Sequence, residues 1–230
     1  MKPFLLLHGA IGSSAQLVPL KTGLEKHFKD VLLFDFPGHG GKKISDEGFS
    51  ISFFAESVVK FLDENKIQQA NIFGYSMGGY VALYLARHYP GKIFKIMTLG
   101  TKLEWTEEIA AKEIKLLDPE KILQKIPAFA DALQKRHSPG DWKVVLKKTA
   151  EMMVALGKNP ELKKEDFLQI KNEVLLAIGD RDNMVTKEET MEVYSFLSHG
   201  SFEILHDTPH PIEQVELKKI VSLAGEFYRN

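Results

Sequence analysis

Residues 71–90 read NIFGYSMGGYVALYLARHYP, an apolar run followed by a serine between glycines and then by a helix-period run. The run at 70–75 has the length of a buried strand, and apolar side chains recur at helical spacing from Gly78 to Pro90. Ser76 lies at the junction, in a Gly-x-Ser-x-Gly pattern. A strand, a sharp turn and a helix in this order predict a positive φ angle for Ser76 and an exposed hydroxyl at the end of the strand.

The two glycines of this pattern are expected at positions where a side chain would collide with the neighbouring strand and helix. The pattern alone arises by chance in roughly one chain in ten of this length. The interpretation of Ser76 as a nucleophile therefore depends on the strand–turn–helix context and on an acid and a base elsewhere in the chain. A serine hydroxyl becomes a good nucleophile only when a base takes its proton and an acid holds that base.

The rest of the chain alternates short apolar runs with helix-period segments. This rhythm predicts an α/β fold with a mostly parallel sheet of about six strands, flanked by helices on both faces. The predicted strands lie at 4–7, 31–36, 70–75, 92–100, 173–182 and 201–205. Between residues 101 and 165 the pattern holds only helix-like stretches, at 106–117, 119–137 and 141–157. We therefore expect a core formed by 1–100 and 166–230, with an all-helical insertion at 101–165.

Composition narrows the function. The 230 residues carry a net charge of −1, so the balance gives no reason to expect a nucleic-acid or membrane partner. The absence of cysteine excludes disulfides, thiolate metal sites and a cysteine nucleophile. No signal-like segment and no apolar run of about 20 residues is found in the sequence. We expect a cytoplasmic protein that acts on a small molecule without metal or cofactor, and the oligomeric state stays open.

The acid and the base should follow the serine along the chain, on loops after later strands. The stretch LLAIGDRDNMV offers Asp180 and Asp182 directly after a strand. Asp182 is the preferred acid because a carboxylate needs a residue or two of loop to reach a histidine, and Asp180 is the alternative. Asp35 stands before the serine and is predicted to cap a turn.

Two of the eight histidines, His206 and His210, follow the last predicted strand. His210 is the preferred base because it lies at the start of the predicted final helix, where a loop can hang over the serine. His206 is closer to the strand end, is predicted to be structural, and is kept as the alternative. His8 is expected to hold the loop after the first strand in shape.

An oxyanion hole needs two backbone N–H groups that converge on one point. The Met77 amide, at a helix N-terminus, is one predicted donor, and the loop near Ala10 is expected to supply the other. Tyr75 flanks the serine and is a predicted wall of the substrate pocket. Eight apolar residues of the insertion are candidates for the same pocket or for the contacts between its helices: Leu103, Trp105, Ile126, Phe129, Leu133, Trp142, Met152 and Met153.

Five motifs in this order resemble the α/β-hydrolase fold superfamily, in the group of small serine esterases: HG at 8–9, DFPGHG at 35–40, GYSMGG at 74–79, GDRDNMV at 179–185 and HPIEQVE at 210–216. The resemblance implies Ser76 as nucleophile, His210 as base, Asp182 as acid, and Ala10 and Met77 as oxyanion donors. It also implies that the insertion is a mobile cap. Because the chain begins almost at the HG strand, the two leading strands of the full family sheet are expected to be absent.

The resemblance implies hydrolysis of a small, mostly apolar carboxylic ester or thioester through an acyl-enzyme. Three alternatives stay open, because fold does not fix chemistry. They are C–C bond hydrolysis with the same triad, a lyase reaction on a small acid, and ligand binding without catalysis. The absence of clustered arginines in the insertion argues against a phosphorylated substrate.

Overall fold

Six parallel strands form one sheet in the computed structural model, which describes residues 2–45 and 47–229. The strands are Phe4–Leu7 (β1), Val31–Phe34 (β2), Ala70–Tyr75 (β3), Ile93–Leu99 (β4), Glu173–Arg181 (β5) and Gly200–Pro209 (β6). Their order is β2-β1-β3-β4-β5-β6, and every neighbouring pair is parallel. The predicted fold class is confirmed. Met1 and Asn230, the outer bounds of the predicted core, lie outside the described residues.

Helices connect the strands. The described residues form Val18–Leu24 (α1), Ile51–Glu64 (α2), Met77–His88 (α3), Glu107–Glu113 (α4), Pro119–Lys125 (α5), Pro127–His137 (α6), Trp142–Lys158 (α7), Lys164–Phe167 (α8), Lys187–Phe196 (α9) and Leu217–Arg229 (α10). Side-chain caps fix several of their starts. The Ser50 hydroxyl, for example, accepts a hydrogen bond from the Phe53 amide at 3.0 Å and begins α2.

Apolar side chains cover both faces of the sheet. Successive residues of a strand point to opposite faces, and all four residues of β1 are buried. Phe4 and Leu6 pack in one cluster with α1 and α10, whereas Leu5 and Leu7 pack in the other with α2 and α3. Burial on both faces explains why the strands read as continuous apolar runs. It leaves the carboxyl edge of the sheet as the place where polar side chains can meet.

The segment 101–165 contains helices α4 to α7 and the start of α8, and no strand occurs between Leu99 and Glu173, all of which the structure describes. Part of it has an apolar cluster of its own, formed by Ile122, Ala130, Leu133, Trp142 and Leu146. We refer to residues 101–165 as the helical segment. Helix α8 crosses the predicted boundary at residue 165.

The prediction of one helix over 119–137 was wrong, because the chain forms two helices that meet at Pro127. Proline has no N–H to donate and disfavours helical angles in the residue before it. Ile126 accordingly has φ −140° and ψ 60°, which ends α5, and α6 begins afresh at Pro127.

The last strand is longer than predicted. It was expected at 201–205 but runs to Pro209, where it still pairs with Arg181 of β5 after a shift in register. His206 therefore lies inside β6, not after it. His210 directly follows the strand, and a short 3-10 turn at Ile212–Gln214 precedes α10.

Candidate active site

Ser76 occupies a strained turn between β3 and α3. Its φ angle is 51° and its ψ angle is −119°, in agreement with the predicted positive φ. Backbone strain of this kind costs about 1–3 kcal/mol and persists only where surrounding contacts fix it. The Ser76 amide donates to the Leu99 carbonyl at 2.9 Å, and the Thr101 hydroxyl donates to the Ser76 carbonyl at 3.1 Å. Both neighbours at the end of β4 thus hold the turn.

The glycines around Ser76 lie where backbone approaches backbone. A Cβ on Gly74 would lie 2.5 Å from the Gly78 carbonyl oxygen in the first turn of α3. A Cβ on Gly78 would lie 2.5 Å from the carbonyl oxygen of Leu7, at the end of β1. The clash with helix and strand expected from the sequence is what the structure shows.

His210 and Asp182 form a buried pair. His210 Nδ1 lies 2.7 Å from Asp182 Oδ2, and the two side chains are 7% and 2% exposed. The other carboxylate oxygen accepts from the amides of Met184 and Val185, both at 2.9 Å. Burial alone would raise the pKa of Asp182, but the hydrogen bonds from His210 and from the two amides hold it below its usual value. An ionised Asp182 places the proton of neutral His210 on Nδ1 and leaves Nε2 as an acceptor.

The two alternative residues pair with each other instead. His206 Nδ1 lies 2.8 Å from Asp180 Oδ2, and the His206 side chain is 89% exposed. Neither residue lines the cavity that contains Ser76. His210 does line this cavity and its carboxylate partner is Asp182, so the geometry favours Asp182 and His210 over Asp180 and His206.

Ser76 and His210 line one cavity of about 280 Å³. Among the described residues no hydrogen bond joins the Ser76 hydroxyl to His210. Such bonds are often long in ligand-free enzymes and tighten when substrate binds. Tyr75 also lines the cavity, and its hydroxyl donates to the His210 carbonyl at 3.0 Å. Burial raises the pKa of the Tyr75 phenol, which keeps this donor protonated.

Ala10 and Met77 line the same cavity as Ser76. Neither backbone amide is used in a hydrogen bond within the described part of the chain, and Met77 is the first residue of α3. His8 shapes the loop that carries Ala10: its Nδ1 lies 2.8 Å from the Gly9 carbonyl, and its Nε2 accepts from the Phe36 amide at 3.3 Å. Both contacts agree with the structural role predicted for His8.

Asp35 also has the role predicted for it. Its carboxylate accepts hydrogen bonds from the amide and the hydroxyl of Ser14, at 2.7 and 2.8 Å. Ser14 begins the short 3-10 turn before α1. Asp35 therefore caps a turn and is not available as the acid.

Gly100 was missed by the sequence analysis. It directly follows β4 and has φ +58°, and a Cβ there would lie 2.9 Å from Asp182 Oδ2 and 3.2 Å from His210 Nδ1. The one sequence signal was a glycine at the end of the predicted strand 92–100. Only the fold shows that the acid and the base approach it.

We expect Gly100→Ala to lower kcat for ester hydrolysis by about 10- to 100-fold, because the new methyl group displaces the His210–Asp182 pair. The positive φ should also lower the free energy of unfolding by about 1–2 kcal/mol. Gly48→Ala is the matched control, since Gly48 has φ +72° and no atom within 4 Å of its Cβ position. Urea unfolding and hydrolysis rates separate the two effects. Equal losses of kcat in both variants would show that the effect does not come from contact of the new methyl group with His210 and Asp182.

Two buried histidines make stability depend on pH. His8 and His39 are fully buried. Burial lowers the pKa of His8 to about 3 and that of His39 well below its usual value. Below about pH 6.5 the unfolded chain therefore binds protons that the folded chain does not, and the free energy of unfolding falls as pH falls.

Between pH 7 and pH 5 we expect a loss of up to about 1.4 kcal/mol per pH unit for each of these histidines. Urea unfolding at several pH values measures the slope. His39→Phe should reduce it by the share of one histidine, because Phe49 and Phe54 already surround this ring. An unchanged slope would show that His39 is protonated in the folded protein.

The cavity wall combines core residues with the helical segment. Of the eight apolar candidates, the four that line it are Trp105, Phe129, Met152 and Met153. Leu133 and Trp142 belong to the apolar cluster of the helical segment, Leu103 packs in the core, and Ile126 is exposed. Four of the eight candidates therefore line the cavity, and two serve the contacts between helices.

Comparison with known proteins identifies the family of the chain. Residues 2–164 match the family model described as alpha/beta hydrolase fold. The chain therefore belongs to the α/β hydrolase fold family.

Among curated proteins, it is 31% identical over 97 residues to the protein PHYLLO, chloroplastic, of Arabidopsis thaliana, covering 39% of this chain and 6% of that protein. It is 32% identical over 108 residues to the serine hydrolase BPHL of Homo sapiens, covering 45% and 37%. Both matches span well under half of the relative's length.

The fold is similar to the crystal structure of the enol-lactonase from Burkholderia xenovorans LB400. The TM-score is 0.79 at 20% identity, over 100% of this chain and 92% of that one. At this identity the likeness concerns the fold. Among the residues described here, no helix is both long and apolar enough to span a membrane.

Proposed function

We propose that the protein is a serine hydrolase that cleaves a small, mostly apolar carboxylic ester or thioester through an acyl-enzyme. One observation carries the proposal. His210 lines the same cavity as Ser76 on its strained turn, and the buried Asp182 holds His210 through a hydrogen bond. A nucleophile, a base with a free Nε2 and an acid that holds the base are the parts that acyl transfer needs.

In the first step, Ser76 Oγ forms a bond to the carbonyl carbon while its proton moves to His210 Nε2. The C–O or C–S bond to the leaving group then breaks, and His210 gives the proton to that group. Asp182 stays ionised and stabilises the imidazolium. In the second step, His210 takes a proton from water, the hydroxide attacks the acyl carbon, and Ser76 regains its proton as the acid leaves.

The amides of Ala10 and Met77 are the proposed donors to the oxyanion of both tetrahedral intermediates. Both residues line the cavity and both amides are free to donate within the described residues. The N-terminus of α3 adds a partial positive charge beside Met77. One such donor contributes about 2.7–4 kcal/mol to transition-state stabilisation in serine hydrolysis.

The cavity supports a small and uncharged substrate. Its volume of about 280 Å³ is just below the usual range for ligand pockets, about 300–1,000 Å³. The two cationic residues that line it are each near a carboxylate: Arg136 lies 3.4 Å from Glu213, and Lys102 lies 3.4 Å from Glu189. A wall whose positive charges are already compensated has little to offer a phosphorylated or polyanionic substrate.

The helical segment is the proposed cap over this cavity. It contributes Trp105, Phe129, Met152 and Met153 to the wall, whereas the triad comes from the sheet edge. Acyl-chain preference should therefore depend on the cap, and hydrolysis itself on the core.

Hydrolysis of a p-nitrophenyl ester series, from acetate to dodecanoate, tests the proposal. We expect turnover of the short esters and a kcat/KM at least about tenfold lower for the longest, because the cavity is small. Met153→Ala should move the optimum to longer chains, and Met191→Ala, an exposed residue on α9, should not. If no ester is turned over above the Ser76→Ala background, C–C hydrolysis, a lyase reaction and ligand binding without catalysis become the alternatives to test.

A further inference from the structure

The loop that carries Ala10 contains a second strained residue. Ile11 has φ +51°, an angle that a β-branched residue rarely adopts. The turn around it is closed by the Gly12 amide, which donates to the Gly9 carbonyl at 3.1 Å. Strain of this kind persists only when contacts outside the turn impose it. The contacts that impose it here come from the helical segment.

Two consecutive residues of α6 bind the Ile11 carbonyl. Arg136 Nη1 donates to it at 3.1 Å, and His137 Nε2 lies 3.0 Å from it. A carbonyl oxygen only accepts, so His137 carries its proton on Nε2. The Ile11 side chain packs against the apolar cluster of the helical segment. The same side chain also packs against the main core cluster, so the helical segment binds the Ile11 carbonyl and shares the packing of its side chain with the core.

His137 is buried among other histidine rings, which restricts its side chain to one position. It is 1% exposed, and its ring lies 5.7 Å from that of His39, which lies 5.2 Å from that of His8. Burial, more than the nearby charge of Arg136, lowers the pKa of His137 and keeps it neutral. Its Nδ1 is buried without a partner among the described residues. Within the described part of the chain, the one hydrogen bond of this ring is therefore its bond to the Ile11 carbonyl, in the loop that carries Ala10.

We infer that Arg136 and His137 are positioning residues, which hold the Ile11 carbonyl and so fix the loop in which the amide of the neighbouring residue, Ala10, faces the oxyanion. This inference rests on the proposed function. Arg136 also lines the cavity, but His137 does not. An effect of His137 on turnover must therefore pass through the loop and not through contact with substrate.

His137→Phe separates these possibilities, because it keeps an aromatic ring against His39 and removes the donor. We expect kcat to fall by about tenfold with KM within about twofold, since the interaction serves the transition state. Adding Arg136→Met should bring the loss of kcat to about 100-fold, close to that of losing one oxyanion donor. His137→Gln, which can still donate, should recover most of the rate. Lys135→Met is the control, an exposed residue of the same helix that loses the same charge.

Phenylboronic acid provides a second readout. It adds to a serine hydroxyl as a tetrahedral boronate, so its binding requires the oxyanion donors. We expect its Kd to rise in the variants by the same factor as kcat falls. A rise in KM with unchanged kcat and unchanged boronate affinity would overturn the inference.

Amide hydrogen exchange over residues 9–13 tests the contact independently of activity. Exchange should be faster in His137→Phe and in the double variant than in wild type or Lys135→Met. Unchanged exchange overturns the inference, as does faster exchange with unchanged kcat and boronate affinity. If wild type neither hydrolyses esters nor binds the boronate, the proposed function fails, and the exchange data still decide whether α6 holds the loop.

Discussion

Replacing Ser76 by alanine is expected to lower kcat for ester hydrolysis by about 10⁴- to 10⁶-fold, because no other group can form the acyl-enzyme. The residual rate would come from substrate binding and the oxyanion donors. The fold should survive, since the Ser76 hydroxyl makes no hydrogen bond within the described residues and the turn is held by its backbone. Thermal unfolding should therefore shift little.

Ser222→Ala, an exposed residue of α10, is the control for the loss of a hydroxyl and should keep the wild-type rate. Initial rates on p-nitrophenyl acetate, corrected for spontaneous hydrolysis, measure the effect. A Ser76→Ala variant that keeps more than about a tenth of kcat would exclude Ser76 as the nucleophile.

Asp182→Asn is expected to lower kcat by about 10⁴-fold. The amides of Met184 and Val185 must still meet an oxygen, so the new amide nitrogen has to take the place of Oδ2. It would then donate to His210 Nδ1 and force the proton onto Nε2. A protonated Nε2 cannot take the proton of Ser76, although the geometry is nearly unchanged.

Asp180→Asn is the matched control, two residues before Asp182 at the end of β5. Its partner His206 is exposed and remote from the cavity, so kcat should stay within about twofold of wild type. Rates for the two variants, with circular dichroism to show that both fold, make the comparison. A greater loss from Asp180→Asn would reverse the assignment of the acid.

The sequence predicted the fold because its strongest signals were local. Continuous apolar runs, helical spacing and glycine-rich turns predicted a parallel sheet, and the sheet in turn placed Ser76, Asp182 and His210 at one edge. The choice of Asp182 over Asp180 rested on loop length alone. The structure supports it with a distance, while the catalytic roles of these residues stay predictions.

What the sequence did not predict depends on contacts between distant elements. Gly100 is next to the acid and the base only because β4 lies between β3 and β5 in the sheet. Arg136 and His137 looked like an ordinary basic end of a helix, and nothing in the sequence pairs them with Ile11. The last strand was predicted to end at residue 205 because His206 and Asp207 are polar. These two residues nevertheless continue β6, which lies at the edge of the sheet.

Covalent labelling with diethyl p-nitrophenyl phosphate tests the central claim most directly. This phosphate triester reacts with an activated serine and releases one p-nitrophenolate for each bond formed. We predict one p-nitrophenolate per protein chain and a diethylphosphoryl group on the peptide that contains Ser76, with much slower labelling in Asp182→Asn and none at this site in Ser76→Ala. Labelling of wild type at another residue, or equal labelling of wild type and Asp182→Asn, would contradict a Ser76 nucleophile activated by His210 and Asp182.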